Sequence, residues 1–161
     1  KVHNEFPEKN LIFTEGTQEG GPHIGSWNLG ERYAKSIIND LNRWTLAWLD
    51  WNLILDGQGG PNHVGNFCSA PIIVDNNEIL FQSSYYYIGH FSRYIKRGDH
   101  IIHSEINSDD LLSLSAVNTS GTIKTVVMND NDTFRKFELI HNNSSLPFSI
   151  PPHSIITIII K

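Results

Sequence analysis

The apolar positions of the first half of the chain switch between two periods. Asn10-Leu-Ile-Phe-Thr-Glu15 is a short β-rich run that ends on a carboxylate, and a glycine-rich stretch through Gly25 follows it. Between residues 27 and 44, Leu29, Tyr33, Ile37, Leu41 and Trp44 recur every three or four positions. That spacing gathers them on one face, the stripe of a helix packed on a sheet. Ser26 stands where such a helix needs a cap. Thr45-Leu-Ala-Trp-Leu-Asp-Trp-Asn52 then reads as a buried strand, closed by the turn-rich residues 56–61. Strand, helix and strand with short connections predict one parallel βαβ unit. A further helix is predicted over residues 85–95.

Near residue 100 the pattern changes. Residues 111–117, 122–128, 133–140, 146–150 and 154–160 are short strand-like segments separated by turn residues, with no helical stripe among them. Their spacing predicts a β-sandwich. The fold class is therefore α/β plus all-β, divided into residues 1–97 and 98–161. A lone βαβ unit cannot cover both faces of a parallel sheet. A barrel of eight such units takes about 250 residues, so the first part reads as the last quarter of something larger.

Composition narrows the function classes. Apolar residues make up 39% and charged residues 18%, enough for a packed core. The net charge is -5 and no basic block occurs, which argues against a nucleic-acid surface. The single cysteine, Cys68, excludes an internal disulfide framework and reads as a small buried apolar residue. The most apolar stretch, residues 155–160, is far short of the roughly 20 needed to span a bilayer. The first residues carry neither the apolar segment nor the cleavage site of a signal peptide. Asn118, Asn131, Asn142 and Asn143 begin Asn-X-Ser/Thr sequons, glycan acceptors if the protein enters a secretory pathway and chance matches otherwise.

In parallel α/β barrels the reactive groups sit at the C-terminal ends of the strands. That rule selects Glu15 on the first strand and Asp50, Trp51 and Asn52 on the second. An aromatic ring beside carboxylates suits a sugar, whose apolar face packs on the ring while polar groups bond its hydroxyls. The four tryptophans, Trp27, Trp44, Trp48 and Trp51, fall within 25 positions. Trp44 and Trp48 read as core residues, whereas Trp51 is balanced between packing and sugar contact. Glycoside cleavage needs two carboxyl groups, about 5–5.5 Å apart in a retaining enzyme. Spacing alone leaves Glu15 and Asp50 as a candidate pair, against a plain structural role for either. The eight histidines show no metal-ligand spacing, and His90 and His153 read as structural. No metal or organic cofactor is expected.

The motifs Leu11-Ile-Phe-Thr-Glu15, Leu29-Gly-Glu-Arg-Tyr33, Trp48-Leu-Asp-Trp-Asn52, Gly59-Gly-Pro-Asn62, Asn66-Phe67, Ser69-Ala-Pro-Ile-Ile-Val-Asp75, Tyr87-Ile-Gly-His-Phe-Ser92 and Pro152-His-Ser-Ile155 run in order along nearly the whole chain. In order and spacing they resemble glycoside hydrolase family 30, and within it the lysosomal glucosylceramidases. The resemblance is dense over the first ninety-odd residues and loose over the sandwich strands. It implies that residues 1–97 are strands seven and eight of a TIM barrel with their helices, and that the rest belongs to an appended sandwich. It implies Glu15 as the nucleophile, Trp51 and Asn52 in the glucose subsite, Asp50 supporting that strand end, and Asn66 near the entrance. The acid/base glutamate of the family lies in an Asn-Glu-Pro motif, which does not occur here, since Phe6 follows Asn4-Glu5. The resemblance thus removes Asp50 as the second catalytic carboxyl and makes the rest of the enzyme, barrel strands one to six, the expected partner. Two sandwich strands expected ahead of the barrel do not occur either.

The resemblance further implies a β-glucoside or glucosylceramide substrate, a membrane surface or saposin-like activator as partner, and a lysosomal or extracellular location. Two positions and one loop depart from the pattern; the loop, residues 17–25, lies at the face where loops tune substrate choice. His63 stands where the glucosylceramidases have Trp, which bears on the aglycone contact and leaves a xyloside or oligosaccharide open. Gly16 replaces a small Ala, a change expected to be harmless. The competing class is a non-catalytic β-sandwich module that binds carbohydrate or a partner, against which stand the open edges of a two-strand barrel remnant.

Overall fold

The computed structural model describes residues 1–106, 108 and 110–161, and it contains the expected strand–helix–strand unit. One helical turn, Val2–Glu5 (α1), precedes the strand Leu11–Gly16 (β1), the helix Asn28–Leu41 (α2) and the strand Thr45–Asp50 (β2). β1 and β2 pair in parallel, with Phe13 opposite Trp48 and Gly16 opposite Asp50. α2 buries Leu29, Tyr33, Ala34, Ile37 and Ile38. Trp48 links the layers: it stacks on Phe13 at 5.2 Å, meets Tyr33 edge-on at 5.6 Å, and donates Nε1–H to Ser36 Oγ at 3.2 Å. Other apolar groups of the two strands stay open, with Ile12 55% and Leu46 66% exposed.

Two local expectations fail for physical reasons. Ser26 does not cap α2; Trp27 holds that position without a side-chain cap, and the Ser26 hydroxyl bonds Asn28 Oδ1 instead. Trp44 does not belong to the helical stripe or the core. The helix stops at Leu41, and the chain reverses into β2 through Trp44 itself, which adopts φ +73°. That left-handed conformation swings the ring outward, where it is 62% exposed and stacks on His3 at 4.2 Å. Trp48, by contrast, packs as expected.

Beyond β2 lies a small sheet that the sequence pattern did not reveal. Ile54–Asp56 (β3) pairs in parallel with Ile72–Asp75 (β4), which forms an antiparallel hairpin with Glu78–Phe81 (β5). The hairpin turns on Asn76 and Asn77 at φ +45° and +65°, the left-handed pair that a two-residue turn requires. The second long helix, Ser83–Ser92 (α3), begins two residues earlier than predicted and ends three earlier. α2 and α3 approach closely at Gly30, where a Cβ would lie 2.4 Å from Tyr87 Cδ2. Cys68 is buried, as expected.

The chain divides into two compact units, residues Lys1–Gly89 and His90–Lys161. In the second, His100–Ile102 (β6), Leu112–Val117 (β7), Ile123–Asn129 (β8), Arg135–His141 (β9), Ser144–Ile150 (β10) and Ser154–Ile160 (β11) follow in order. They form a four-stranded antiparallel sheet ordered β11-β8-β7-β6 and a separate β9–β10 hairpin. β8 is buried along nearly its whole length, as the centre of a sandwich must be. Leu111, Val127 and Ile150 form its core, with Phe137, Ile156 and Ile158 packed around them. An open cleft of about 680 Å³ separates the sheet from the hairpin, lined by Ile102, Val127, Phe137 and Ile140 among others. Among the described residues no helix is long and apolar enough to cross a membrane.

Candidate active site

The parallel register brings the two strand ends together. Gly16 faces Asp50, and Trp51 N–H donates to the Gly16 carbonyl at 2.9 Å, so Glu15, Asp50 and Trp51 share one end of the pair. Glu15 is exposed and lines a cavity of about 150 Å³ with Phe13, Thr17, Arg32, Tyr33 and Trp48. Trp51 is 40% exposed, which leaves part of its ring available to a ligand.

Asp50 carries the perturbed carboxyl group. Burial raises its pKa from 3.8 to about 6, against the opposing pull of Trp51 N–H and the Tyr33 hydroxyl. Oδ1 accepts Trp51 N–H at 3.0 Å, whereas Oδ2 is buried without a hydrogen-bond partner among the described residues. Tyr33 is pushed up in turn, by burial first and then by the Asp50 charge. The phenol is thus near enough to feel the carboxylate although Oδ2 remains unsatisfied. Thr17 Oγ1 and Asn52 Nδ2 are also buried and unpartnered among the described residues. Such orphans cost about 1–3 kcal/mol each. Three of them, on residues at or just past the ends of β1 and β2, put unsatisfied polar groups at the strand ends that carry Glu15.

His63 and Asn66 sit on the loop between β3 and β4, in or just after the 3-10 turn Asn62–Val64. His63 is exposed, and Asn66 is half-buried with its N–H on the Pro61 carbonyl at 3.3 Å. The loop leaving Glu15 is bonded to this segment: Gly21 N–H donates to Phe67 O at 2.6 Å, Ser69 N–H donates to Gln18 O at 2.7 Å, and Glu19 bridges Cys68. The connection that follows Glu15 and the one that carries His63 and Asn66 are therefore hydrogen-bonded to each other.

Sequence reasoning missed Thr17, Arg32 and Tyr33 as neighbours of Glu15. Arg32 and Tyr33 stand in the motif Leu29-Gly-Glu-Arg-Tyr33, and Tyr33 also on the helical stripe, but neither motif nor stripe assigned them to the site, and Thr17 stood out only as the first residue of a loop. The histidines read as structural have partners: His90 Nδ1 lies 2.8 Å from Thr157 Oγ1, and His153 Nε2 lies 2.8 Å from Asp132 Oδ1. The four sequons differ in setting. Asn118 Oδ1 organises the β7–β8 turn by accepting the N–H groups of Ser120 and Thr122. Asn131 Nδ2 donates to the Asp110 carbonyl at 2.6 Å. Asn142 and Asn143 form the β9–β10 turn at φ +48° and +65°.

The comparisons with known proteins identify the family. Residues 1–95 match the model of the glycosyl hydrolase family 30 TIM-barrel domain, and residues 100–158 match that of the family 30 beta sandwich domain. A putative glucosylceramidase 4 of Caenorhabditis elegans is 36% identical over all of this chain and 33% of its own length. The lysosomal acid glucosylceramidase of Mus musculus is 37% identical over 80% of this chain and 27% of its own. The crystal structure of SrfJ from Salmonella typhimurium superposes with a TM-score of 0.92 at 30% identity, covering 99% of this chain and 37% of that one. The chain belongs to glycosyl hydrolase family 30, as a portion of its TIM barrel followed by β-sandwich. It spans about a third of the length of the curated relatives it matches, or less.

Proposed function

We propose that this chain supplies the nucleophile side of a retaining β-glucosidase site that acts on glucosylceramide or a similar β-glucoside. The observation that carries the reading is Glu15 at the C-terminal end of a parallel barrel strand, exposed and lining a cavity, in a chain of this glycosidase family. Glu15 attacks the anomeric carbon and displaces the leaving alcohol, which a second carboxylic acid protonates; the same group then takes a proton from the water that releases the sugar. That acid/base glutamate is contributed by residues outside these 161. The exposed apolar groups of β1 and β2 and the orphaned Asp50 Oδ2, Asn52 Nδ2 and Thr17 Oγ1 support an arrangement completed by further barrel strands.

Trp51 packs on the glucose ring, and Asn52, Asp50 and Asn66 bond its hydroxyls. His63 lies toward the aglycone. Its imidazole is smaller and more polar than the indole of the glucosylceramidases, which favours a second reading in which the same chemistry serves another β-glycoside, such as a xyloside. The substrate would be met in a lysosome or outside the cell, at a membrane surface or with a saposin-like activator; the mouse relative and the sequons support that location. Two assays test the reading. Intact-mass measurement of the native protein should reveal a polypeptide that carries an Asn-Glu-Pro segment, either joined to this chain or bound to it. In that enzyme Glu15→Gln should abolish cleavage of aryl β-glucosides; full activity in the variant would overturn the assignment.

A further inference from the structure

Gln82 is a polar side chain that the chemistry above does not use, yet it is only 4% exposed. Both ends of its carboxamide are bonded to one loop far away in sequence. Oε1 accepts Gly25 N–H at 3.0 Å, and Nε2 donates to the Pro22 carbonyl at 2.9 Å. Gly25 and Pro22 belong to the connection, residues 17–27, that leaves Glu15 and leads into α2. We propose that Gln82 is a positioning residue, which clamps this connection and so holds the nucleophile strand end in register for attack. The inference rests on Glu15 being the nucleophile.

Residues 18–21 of the connection are already tied to Phe67, Cys68 and Ser69; residues 22–25, beyond them, are gripped from outside by Gln82 and Ser69. Gly20, Gly21 and Gly25 adopt φ +88°, +117° and +78°, and glycines lose more backbone freedom on ordering than any other residue. The connection's internal bonds are few: Gln18 Nε2–H to Glu19 O at 2.8 Å, Ser26 N–H to His23 O at 3.0 Å, and His23 Nε2 with Glu19 O at 2.8 Å. The clamp itself is rigid. Gln82 N–H donates to Pro71 O and its carbonyl accepts Tyr85 N–H, which fixes the residue at the start of α3. Neighbours reinforce it: Ser69 Oγ donates to the same Pro22 carbonyl at 2.7 Å, and Ser83 Oγ donates to Ser26 O while accepting Gly30 N–H. A carboxamide alone among similar-sized side chains offers an acceptor to Gly25 and a donor to Pro22. A carboxylate keeps the first contact and repels the second; a thioether offers only a weak acceptor and no donor.

The consequence for catalysis follows from geometry, because misplacement of a reacting group by about 1 Å can cost on the order of 100-fold in rate. The test uses the complete enzyme that contains this chain, with Gln82→Glu, Gln82→Met and Ser69→Ala variants. Three readouts are taken: kcat and KM on an aryl β-glucoside, the rate of covalent trapping at Glu15 by a mechanism-based glucoside, and amide exchange at Gly25. Gln82→Met should lower kcat and trapping by roughly 10–100-fold with KM little changed, and Gly25 exchange should accelerate. Gln82→Glu and Ser69→Ala should fall between it and the unmodified enzyme. A folded Gln82→Met enzyme within twofold of the original in kcat and trapping would overturn the clamp. Should Gln82→Met fail to fold, unchanged kcat and trapping in both milder variants would overturn it equally. An unmodified enzyme that traps the label away from Glu15 would take down the nucleophile reading and the clamp together, whereas normal trapping with an indifferent Gln82 removes only the clamp.

Discussion

Trp48 occupies the space that a side chain at position 16 would need: a Cβ built on Gly16 lies 2.3 Å from Trp48 Cη2 and 2.5 Å from Cζ2. The sequence alone suggests that glycine in place of the family's alanine is harmless. In this chain the glycine and the indole are matched, because Phe13, Tyr33 and Ser36 hold the ring in place. Gly16→Ala should therefore destabilise the protein by about 1–3 kcal/mol, the usual cost of overpacking. Urea denaturation checks this, and a Trp48→Leu background should relieve most of the loss. A neutral Gly16→Ala in the parent would show that the ring is free to move.

Asp50 should give the protein a distinctive acid profile. Its pKa of about 6 in the folded state lies above the ordinary 3.8. Between about pH 4 and 6 the folded protein holds a proton that the unfolded chain releases, so stability falls as pH rises through that window. Asp50→Asn should flatten the fall and raise stability at neutral pH. Melting midpoints at a series of pH values decide it; an Asp50→Asn profile parallel to that of the parent would contradict the buried carboxyl.

Asn129 should prove the most sensitive polar position of the sandwich. It is 0% exposed; Nδ2 donates to the Thr133 and Pro151 carbonyls, and Oδ1 accepts Asn131 N–H. Asn129→Ala orphans these buried groups and should cost about 2–4 kcal/mol, measured by denaturant titration. A loss below about 0.5 kcal/mol, the range of an ordinary surface change, would show that the network is not formed.

Trp44→Gly should stabilise the protein slightly or leave it unchanged. The left-handed backbone at Trp44 costs a non-glycine residue about 1 kcal/mol or more, which glycine relieves, and the change gives up little beyond the stacking on His3. A loss above about 2 kcal/mol, the scale of a core truncation, would return Trp44 to the core.

The βαβ unit was legible because its period changes are written in single residues: Leu29, Tyr33, Ile37 and Leu41 for the helix, and apolar runs on either side. The strand-end rule then located Glu15, Asp50 and Trp51 in one place, and the parallel register brings them there. What stayed hidden depends on contacts distant in sequence. The β4–β5 hairpin carried a local signal, two β-rich runs around Asn76-Asn77, but its short strands lie between stronger motifs. Trp44 misled because position 44 continues the helical spacing numerically after the helix has ended. The orphaned atoms of Thr17 and Asn52 and the grip of Gln82 on Pro22 and Gly25 have no sequence signature, since each depends on residues that only the fold brings near. The resemblance, not periodicity, pointed to Glu15 as nucleophile.

The most direct measurement of the central claim is covalent trapping. The complete enzyme is treated with a mechanism-based β-glucoside whose glycosyl-enzyme intermediate breaks down slowly, then digested and mapped by mass spectrometry. The label should sit on Glu15, within the peptide Leu11-Ile-Phe-Thr-Glu15, and be lost in Glu15→Gln. A label on Asp50 or any other carboxylate, or undiminished labelling of the Glu15→Gln enzyme, would contradict it.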